Sequence, residues 1–457
     1  VNGTDDQERP TGWWASLHGA GGPPERRRPQ DGHTPEETTP ADVSTSGSDT
    51  GPGTHTDGAE PAVGDTGPAA QTPGAGTAPA RPDLPPALDL SPHPDLPPAP
   101  LDVLAPWGPQ GPPPSDAWRE DILGPGFESR TIPLLPDDQG EAVATLVRHL
   151  PERDPGALPG TPTIPRFVAL YIHGRNDYFF QVELARVVSA AGGAFHALDL
   201  RKYGRSLRPG QTIGFASDLS VYDEDIGEAL DLIREDVGRL PLVLMGHSTG
   251  GLTVTLWAYR HPGAVAAVVL NSAWLEMQTL ASVRSTVQPV LGRIAARNPL
   301  WAVPTGGGKD FYSRSLLEGW AGSGFGLPRR LLGYEGDPAV AGWTYATQWK
   351  RPDSYPAYAQ WLEAILLAQE QVEKHVHLDC PVLSMCSTSS FTGDTWSPEV
   401  FDSDVVLDVD VIVERSATLG PLVTIARFPG RHDLFLSDPD VRADIWSVMG
   451  HWFSAFV

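Results

Sequence analysis

Downstream of about residue 116 the chain switches repeatedly between two hydrophobic patterns. FVALYI (167–172), AFHALDL (194–200), LPLVLM (240–245) and AVAAVVL (264–270) are nearly continuous apolar runs of strand length. Between them lie amphipathic stretches at 178–191, 220–237 and about 249–260 that read as helices. Apolar strands separated by amphipathic helices predict an α/β fold with a mostly parallel, doubly wound sheet covered on both faces. Ahead of this series, two strand-like runs at 130–135 and 142–150 flank a PDDQG turn, a hairpin signal. The alternation breaks over 271–375, a helical stretch rich in aromatics such as Trp274, Trp301, Phe311, Tyr312 and Trp361, which reads as an insertion over the sheet. Strand patterns resume at PVLSMCS (381–387) and LVTIARF (422–428), and a last helix is expected over about 438–455.

The first 115 residues have a different texture. Stretches such as GTAPARPDLPPALDLSPHPDLPPAPLD combine Pro, Gly, Ala, Thr and Asp with almost no periodic apolar face. Such a segment cannot bury enough surface to offset its conformational entropy. Residues 1–115 are therefore expected to be a disordered tail, polyproline-like near 80–114, with one apolar island at TGWWASLHGA (11–20). The α/β domain is expected over 116–457.

Charge narrows the partners. The net charge of −24 argues against nucleic acid or an anionic membrane as the main partner. No apolar run approaches the ~20 residues needed to span a bilayer. The stretch VNGTDDQERP has no apolar signal-peptide core, so a cytoplasmic setting is expected. Cys380 and Cys386 both fall in DCPVLSMCS, and six residues of strand would hold them ~20 Å apart, beyond disulfide reach. Two such thiols fit a reducing compartment. They are too few for a metal site, and no histidine cluster has ligand spacing, so neither metal nor cofactor is implied.

Candidate chemistry centres on LVLMGHSTGGL (242–252), where Gly246, Ser248 and Gly250 match G-x-S-x-G. In a chain with 48 glycines the match alone is weak. Its context is stronger, because a strand pattern runs into it and a helix pattern leaves it. Such a turn lifts the serine hydroxyl above the sheet and aims a helix N-terminus at it. A serine needs a base, which in a doubly wound sheet belongs on a loop beyond a later strand. His432, in RFPGRHDLFLS, directly follows the last strand pattern. His451 falls inside the terminal helix, while His375 and His377 precede a strand. The orienting acid should come from the loop after 381–387, which offers Asp394, Asp402, Asp404 and Asp408; Asp404, opening SDVVLDVD, is preferred, with Asp394 next. Acyl transfer also needs donors for the developing oxyanion. Thr249 N–H should be one and Arg175 N–H, freed by a turn at Gly174, the other. His173 reads as a brace for that loop.

The set HGRNDYFFQ, DLRKYGRSLRPGQ, GHSTGG, SDVVLDVD and RHDLFLS resembles the alpha/beta-hydrolase superfamily, and within it the serine aminopeptidase/monoacylglycerol-lipase-like (lysophospholipase-type) branch. The resemblance covers about 128–457 and implies an alpha/beta-hydrolase fold with a helical lid over 271–375. It implies a serine hydrolase acting on a small-molecule carboxylic ester through an acyl-enzyme, and the aromatic insertion, as a lid over an apolar acyl pocket, favours a lipid-like or aromatic ester. One departure stands out: relatives place the acid a few residues after the strand, whereas Asp404 follows Ser387 by 17. Asp199 and Gly204 are expected to be architectural, and Arg201, Lys202 and Arg205 a solvated loop or contacts for a substrate phosphate or carboxylate. A peptide-cleaving alternative would need Glu318, Glu335 or Asp337 to hold a substrate ammonium. A non-catalytic binding module is the alternative outside the enzymes.

Overall fold

The computed structural model describes residues 111–277, 281–304 and 310–457. The tail expected over 1–115, with its polyproline stretch and apolar island, lies outside the described residues except for 111–115. Those last few pack against the domain: Arg208 Nη2 donates to Pro112 O at 2.7 Å and Ser115 N–H to Thr131 O at 3.3 Å.

The strands form a nine-stranded sheet ordered β1-β2-β3-β5-β4-β6-β7-β8-β9. The expected hairpin is β2 (Phe127–Asp137) against β3 (Gly140–His149), antiparallel, with a short β1 (Arg119–Glu120) on its edge. β4 (Phe167–Ile172), β5 (Gly193–Asp199), β6 (Leu242–His247), β7 (Ala267–Asn271), β8 (Val382–Ser387) and β9 (Val423–Phe428) run parallel. Continuous apolarity follows from burial on both faces. In β4, Val168, Leu170 and Ile172 enter one core, and Phe167, Ala169 and Tyr171 the other. α2 (Tyr222–Val237) and α3 (Thr249–Arg260) cover the first face; α1 (Val182–Ala190) and α9 (Pro439–Phe456) cover the second.

α1 starts later than the pattern predicts. Phe179 N–H donates to Asp199 Oδ1 at 2.9 Å and Phe180 N–H to the Gln181 side-chain oxygen at 3.0 Å, holding Tyr178–Gln181 in the loop. The 271–375 stretch holds two kinds of structure. α4 (Ala281–Arg297), α5 (Phe311–Gly322) and α6 (Pro338–Ala341) are added elements. α7 (Ala359–His375) buries Trp361, Ile365, Ala368 and Val372 in the core of α2 and α3, and so covers the sheet, and it packs Ala359 and Leu366 against Leu291 and Ala295 of α4.

β4 crosses over to β5 on one side, and the chain returns to β6 on the other. The carboxyl ends of β4 and β6 therefore flank a topological switch point, the usual crevice for a ligand in such sheets.

Candidate active site

β6 ends at His247 and α3 starts at Thr249, so one residue makes the whole turn. Ser248 takes φ 52°, ψ −117°, a conformation that L-residues reach only under strain. The flanking glycines are steric necessities. A Cβ on Gly246 would lie 2.5 Å from Gly250 O, and one on Gly250 would lie 2.3 Å from both Ile172 O and His173 O. Only with both absent can α3 start this close to β4 and β6. Ser248 is 6% exposed.

Register brings the β4 loop alongside. Ile172 pairs with Gly246, so His173-Gly174-Arg175 runs beside the turn. A Cβ on Gly174 would lie 3.1 Å from Ser248 Cβ. Among the described residues, neither Arg175 N–H nor Thr249 N–H donates to a backbone carbonyl. His173 is buried; its Nε2 accepts from Leu200 N–H at 3.2 Å, which puts its proton on Nδ1, 2.8 Å from Gly174 O.

His432 lies on the loop after β9, its ring centroid 4.8 Å from that of His247, the neighbour of Ser248. Its Nδ1 is 2.8 Å from Asp404 Oδ2, and Asp404 Oδ1 accepts from Val406 N–H at 2.8 Å and Leu407 N–H at 2.7 Å. A carboxylate only accepts, so Nδ1 carries a proton, and the neutral ring that can act as a base is the tautomer with its lone pair on Nε2. The 17-residue gap closes in space. Ser390 and Asp404 form a parallel bridge, with Asp404 N–H donating to Ser389 O at 2.9 Å. Residues 391–403 thus leave the strand end and return to it. On the way Phe391 and Trp396 meet Phe311, and Phe401 stacks on Trp320 at 4.2 Å. The other carboxylates lie elsewhere: Asp394 is exposed, Asp402 pairs with Arg330 at 2.8 Å, and Asp408 caps α8 (Val409–Ser416). His375, His377 and His451 are exposed.

Behind His432 lies a buried polar cluster that the sequence did not single out. Asn271, at the end of β7, accepts from Ser248 N–H through its backbone oxygen at 3.0 Å and donates from Nδ2 to Asp433 Oδ1 at 2.7 Å. Gln181 Nε2 donates to Asp433 Oδ2 at 2.9 Å. The turn and the His432 loop are thereby tied through one residue, Asn271, by its backbone carbonyl on one side and its side-chain amide on the other. The only sequence sign of this was a polar residue ending an apolar strand. Burial pushes the His247 imidazole below its ordinary pKa, against the pull of Asp433 and Asp177. Asp177, His247 and Asp433 each offer an atom within 4.8 Å of the others, an arrangement of metal-ligand type. Lys350 Nζ, 3.0 Å from Asp177 Oδ1, already supplies a cation there, and both Asp433 oxygens accept hydrogen bonds.

Arg201, Lys202 and Arg205 form no solvated loop. All three are buried, Arg201 on Asp225 and Glu224, Lys202 on Asp137, and Arg205 on Asp121 and Asp199. A guanidinium or ammonium taken from water at this depth requires a carboxylate partner, and each has one. The carboxylates considered for a substrate ammonium are also engaged: Asp337 with Arg442 at 2.6 Å, Glu318 with Arg314 at 2.9 Å, and Glu335 with Gly333 N–H. Beside Gly174 and Thr249 lies a small cavity, lined also by Leu200, Tyr222, Trp361 and Ile365, with room for about one water-sized group. Among the described residues no helix is long and apolar enough to cross a membrane.

Residues 163–320 match a family described as serine aminopeptidase, S33. A monoacylglycerol lipase of Mycolicibacterium smegmatis is 32% identical over 140 residues, covering 30% of this chain and 49% of the relative. A (lyso)-N-acylphosphatidylethanolamine lipase of Homo sapiens is 24% identical over 221 residues, covering 45% of this chain and 59% of the relative. The chain thus spans about half of the length of the curated relatives it matches. Among solved structures, a soluble variant of monoglyceride lipase from Saccharomyces cerevisiae in complex with a substrate analog covers 77% of this chain at 16% identity, 98% of that chain and TM-score 0.43.

Proposed function

We propose that this chain, which belongs to the alpha/beta-hydrolase superfamily and its serine aminopeptidase/monoacylglycerol-lipase-like branch, hydrolyses carboxylic esters of lipid-like substrates through an acyl-enzyme on Ser248. The observation that carries the reading is the buried Asp404–His432 hydrogen bond of 2.8 Å beside a strained strand-to-helix turn that presents a serine. In this reading His432 Nε2 takes the Ser248 proton as the hydroxyl attacks the ester carbonyl. Asp404 holds the ring and stabilises the imidazolium, and Thr249 and Arg175 N–H groups receive the oxyanion. His432 then protonates the leaving alcohol, and water repeats the sequence on the acyl-enzyme. The related lipases support the lipid-like class. So does the aromatic surround of the site: Tyr312 meets the His432 ring edge-on at 5.6 Å, and Trp361 lines the cavity beside Gly174. In this reading α4, α5 and α6, the helices added in the insertion, would form the cap.

The test has two parts. Wild-type protein should label with a fluorophosphonate probe at Ser248, and p-nitrophenyl esters should be cleaved with kcat/KM rising from acetyl to octanoyl. A folded protein that does not label would sink the enzyme reading; activity confined to acetyl and butyryl esters would sink the lipid preference alone.

Gly174→Ala provides a sharper check on the oxyanion geometry. The added Cβ would meet His247 Cδ2 at 3.0 Å and Ser248 Cβ at 3.1 Å, closer than most real contacts. Misplacing a reacting group by a fraction of an ångström to 1 Å costs up to about a hundredfold, so kcat should fall by roughly ten- to a hundredfold while the thermal midpoint moves little. Wild-type kcat in this variant would place the oxyanion elsewhere.

A further inference from the structure

Four consecutive residues of the loop after β4 are each held by the irregular segment between α6 and α7. The Arg175 guanidinium lies over the Tyr355 ring at 4.4 Å and the Trp361 ring at 4.9 Å, with Nη2 donating to Tyr355 O. The Asn176 side chain pairs with the Arg351 backbone as a strand residue would, Nδ2 donating to Arg351 O at 2.8 Å and Oδ1 accepting from Arg351 N–H at 2.9 Å. Asn176 N–H donates to the Tyr355 phenol oxygen at 3.0 Å. Lys350 Nζ reaches Asp177 Oδ1 at 3.0 Å, and Ala346 N–H donates to the Tyr178 hydroxyl at 2.7 Å. Lys350, Asp177, Tyr178, Ala346 and Tyr355 are all buried.

Two features go beyond ordinary packing. Asn176 has φ +53°, in the left-handed region that asparagine enters more readily than most residues but still at a cost. Its side chain is also spent on a two-point contact one residue away from the N–H assigned to the oxyanion. Arg175 is flanked by Gly174 and this left-handed residue, so the direction of its N–H depends on two backbone conformations that a free loop would not hold. An oxyanion donor works only if its direction is fixed before charge develops.

We propose that Asn176 is a positioning residue: by clamping the β4 loop to the 346–355 segment, with Tyr355 as its second anchor, it sets the Arg175 N–H for the oxyanion. The proposal rests on the serine-hydrolase reading above. It assigns the segment around Lys350 and Arg351 to a fixed brace of the site, distinct from any part of the insertion that opens for substrate.

Asn176→Gly isolates the effect, because glycine keeps the left-handed backbone without strain and removes only the side-chain clamp. With p-nitrophenyl butyrate, kcat should fall by about ten- to a hundredfold, below the full loss of a donor, with KM within about twofold. Affinity for an alkyl trifluoromethyl ketone, whose adduct places an oxyanion on the same donors, should fall by a similar factor. Tyr355→Phe keeps the ring on Arg175 and removes the phenol oxygen that receives Asn176 N–H; it should show the same split more weakly, and it decides the matter if Asn176→Gly does not fold. Folded variants with wild-type kcat and inhibitor affinity overturn the positioning role. A rise in KM at constant kcat overturns it equally, since that reports ground-state binding. A wild-type protein that neither cleaves the ester nor labels overturns the underlying serine-hydrolase reading instead.

Discussion

Ser248→Ala is expected to abolish fluorophosphonate labelling and to lower ester turnover by roughly a millionfold, about 8 kcal/mol of transition-state stabilisation. The size follows from the absence of any substitute nucleophile at the turn. Ser248 is the one residue between β6 and α3; Gly246 and Gly250 carry no side chain, and the Thr249 hydroxyl belongs to the first residue of α3 rather than to the turn. Ser272, the nearest serine downstream, is buried at the end of β7 rather than on the turn. A Ser248→Ala/His432→Ala double variant should be no slower than Ser248→Ala, because a base without its nucleophile contributes nothing. Residual activity of more than about one part in a thousand would point to a nucleophile elsewhere. The fold should survive Ser248→Ala, since alanine carries the same Cβ and leaves the backbone strain at φ 52° unchanged.

The second large effect falls on the acid. Asp404→Asn should lower kcat by about ten-thousandfold with KM little changed, whereas Asp394→Asn should stay within twofold of wild type. Asparagine keeps the shape of the side chain yet can present its amide to His432 Nδ1. The ring would then take the tautomer with its proton on Nε2, where it cannot accept from serine. The two variants separate cleanly because their surroundings differ: Asp404 is 1% exposed and accepts from two backbone N–H groups as well as from His432, while Asp394 is exposed with Thr395 Oγ1 at 2.9 Å. A large loss at Asp394 with none at Asp404 would reverse the assignment. Raising pH should not rescue Asp404→Asn, since the defect is the wrong tautomer rather than an unfavourable charge.

The elements differ in how far each was legible. The turn was readable because everything it needs lies within a few residues: a strand, small residues two positions either side of the serine, and a helix. His432 was readable because a histidine directly follows the last apolar strand. The acid stayed open among four carboxylates, because residues 391–403 leave the end of β8 and return to it. Their count in sequence therefore carries no information about distance. Helical periodicity alone could not separate α7 from the inserted helices; the difference is which core its apolar face enters. The cationic run 201–205 looked solvated because the partners that neutralise it, Asp121, Asp137 and Asp225, lie far away in the sequence.

The sequence by itself determined the α/β class, the order of the parallel strands along the chain, and the local geometry of the serine turn. All three follow from periodicity and from steric demands between near neighbours. Only the tertiary structure decided which carboxylate faces His432, that Asn271 and Asp433 tie the His432 loop to the turn, and that the Arg175 loop is gripped by residues 346–355. Those choices depend on contacts between residues distant in sequence, which no local pattern encodes. They are settled only when the sheet aligns the strand ends and burial drives most of the polar groups there to find partners.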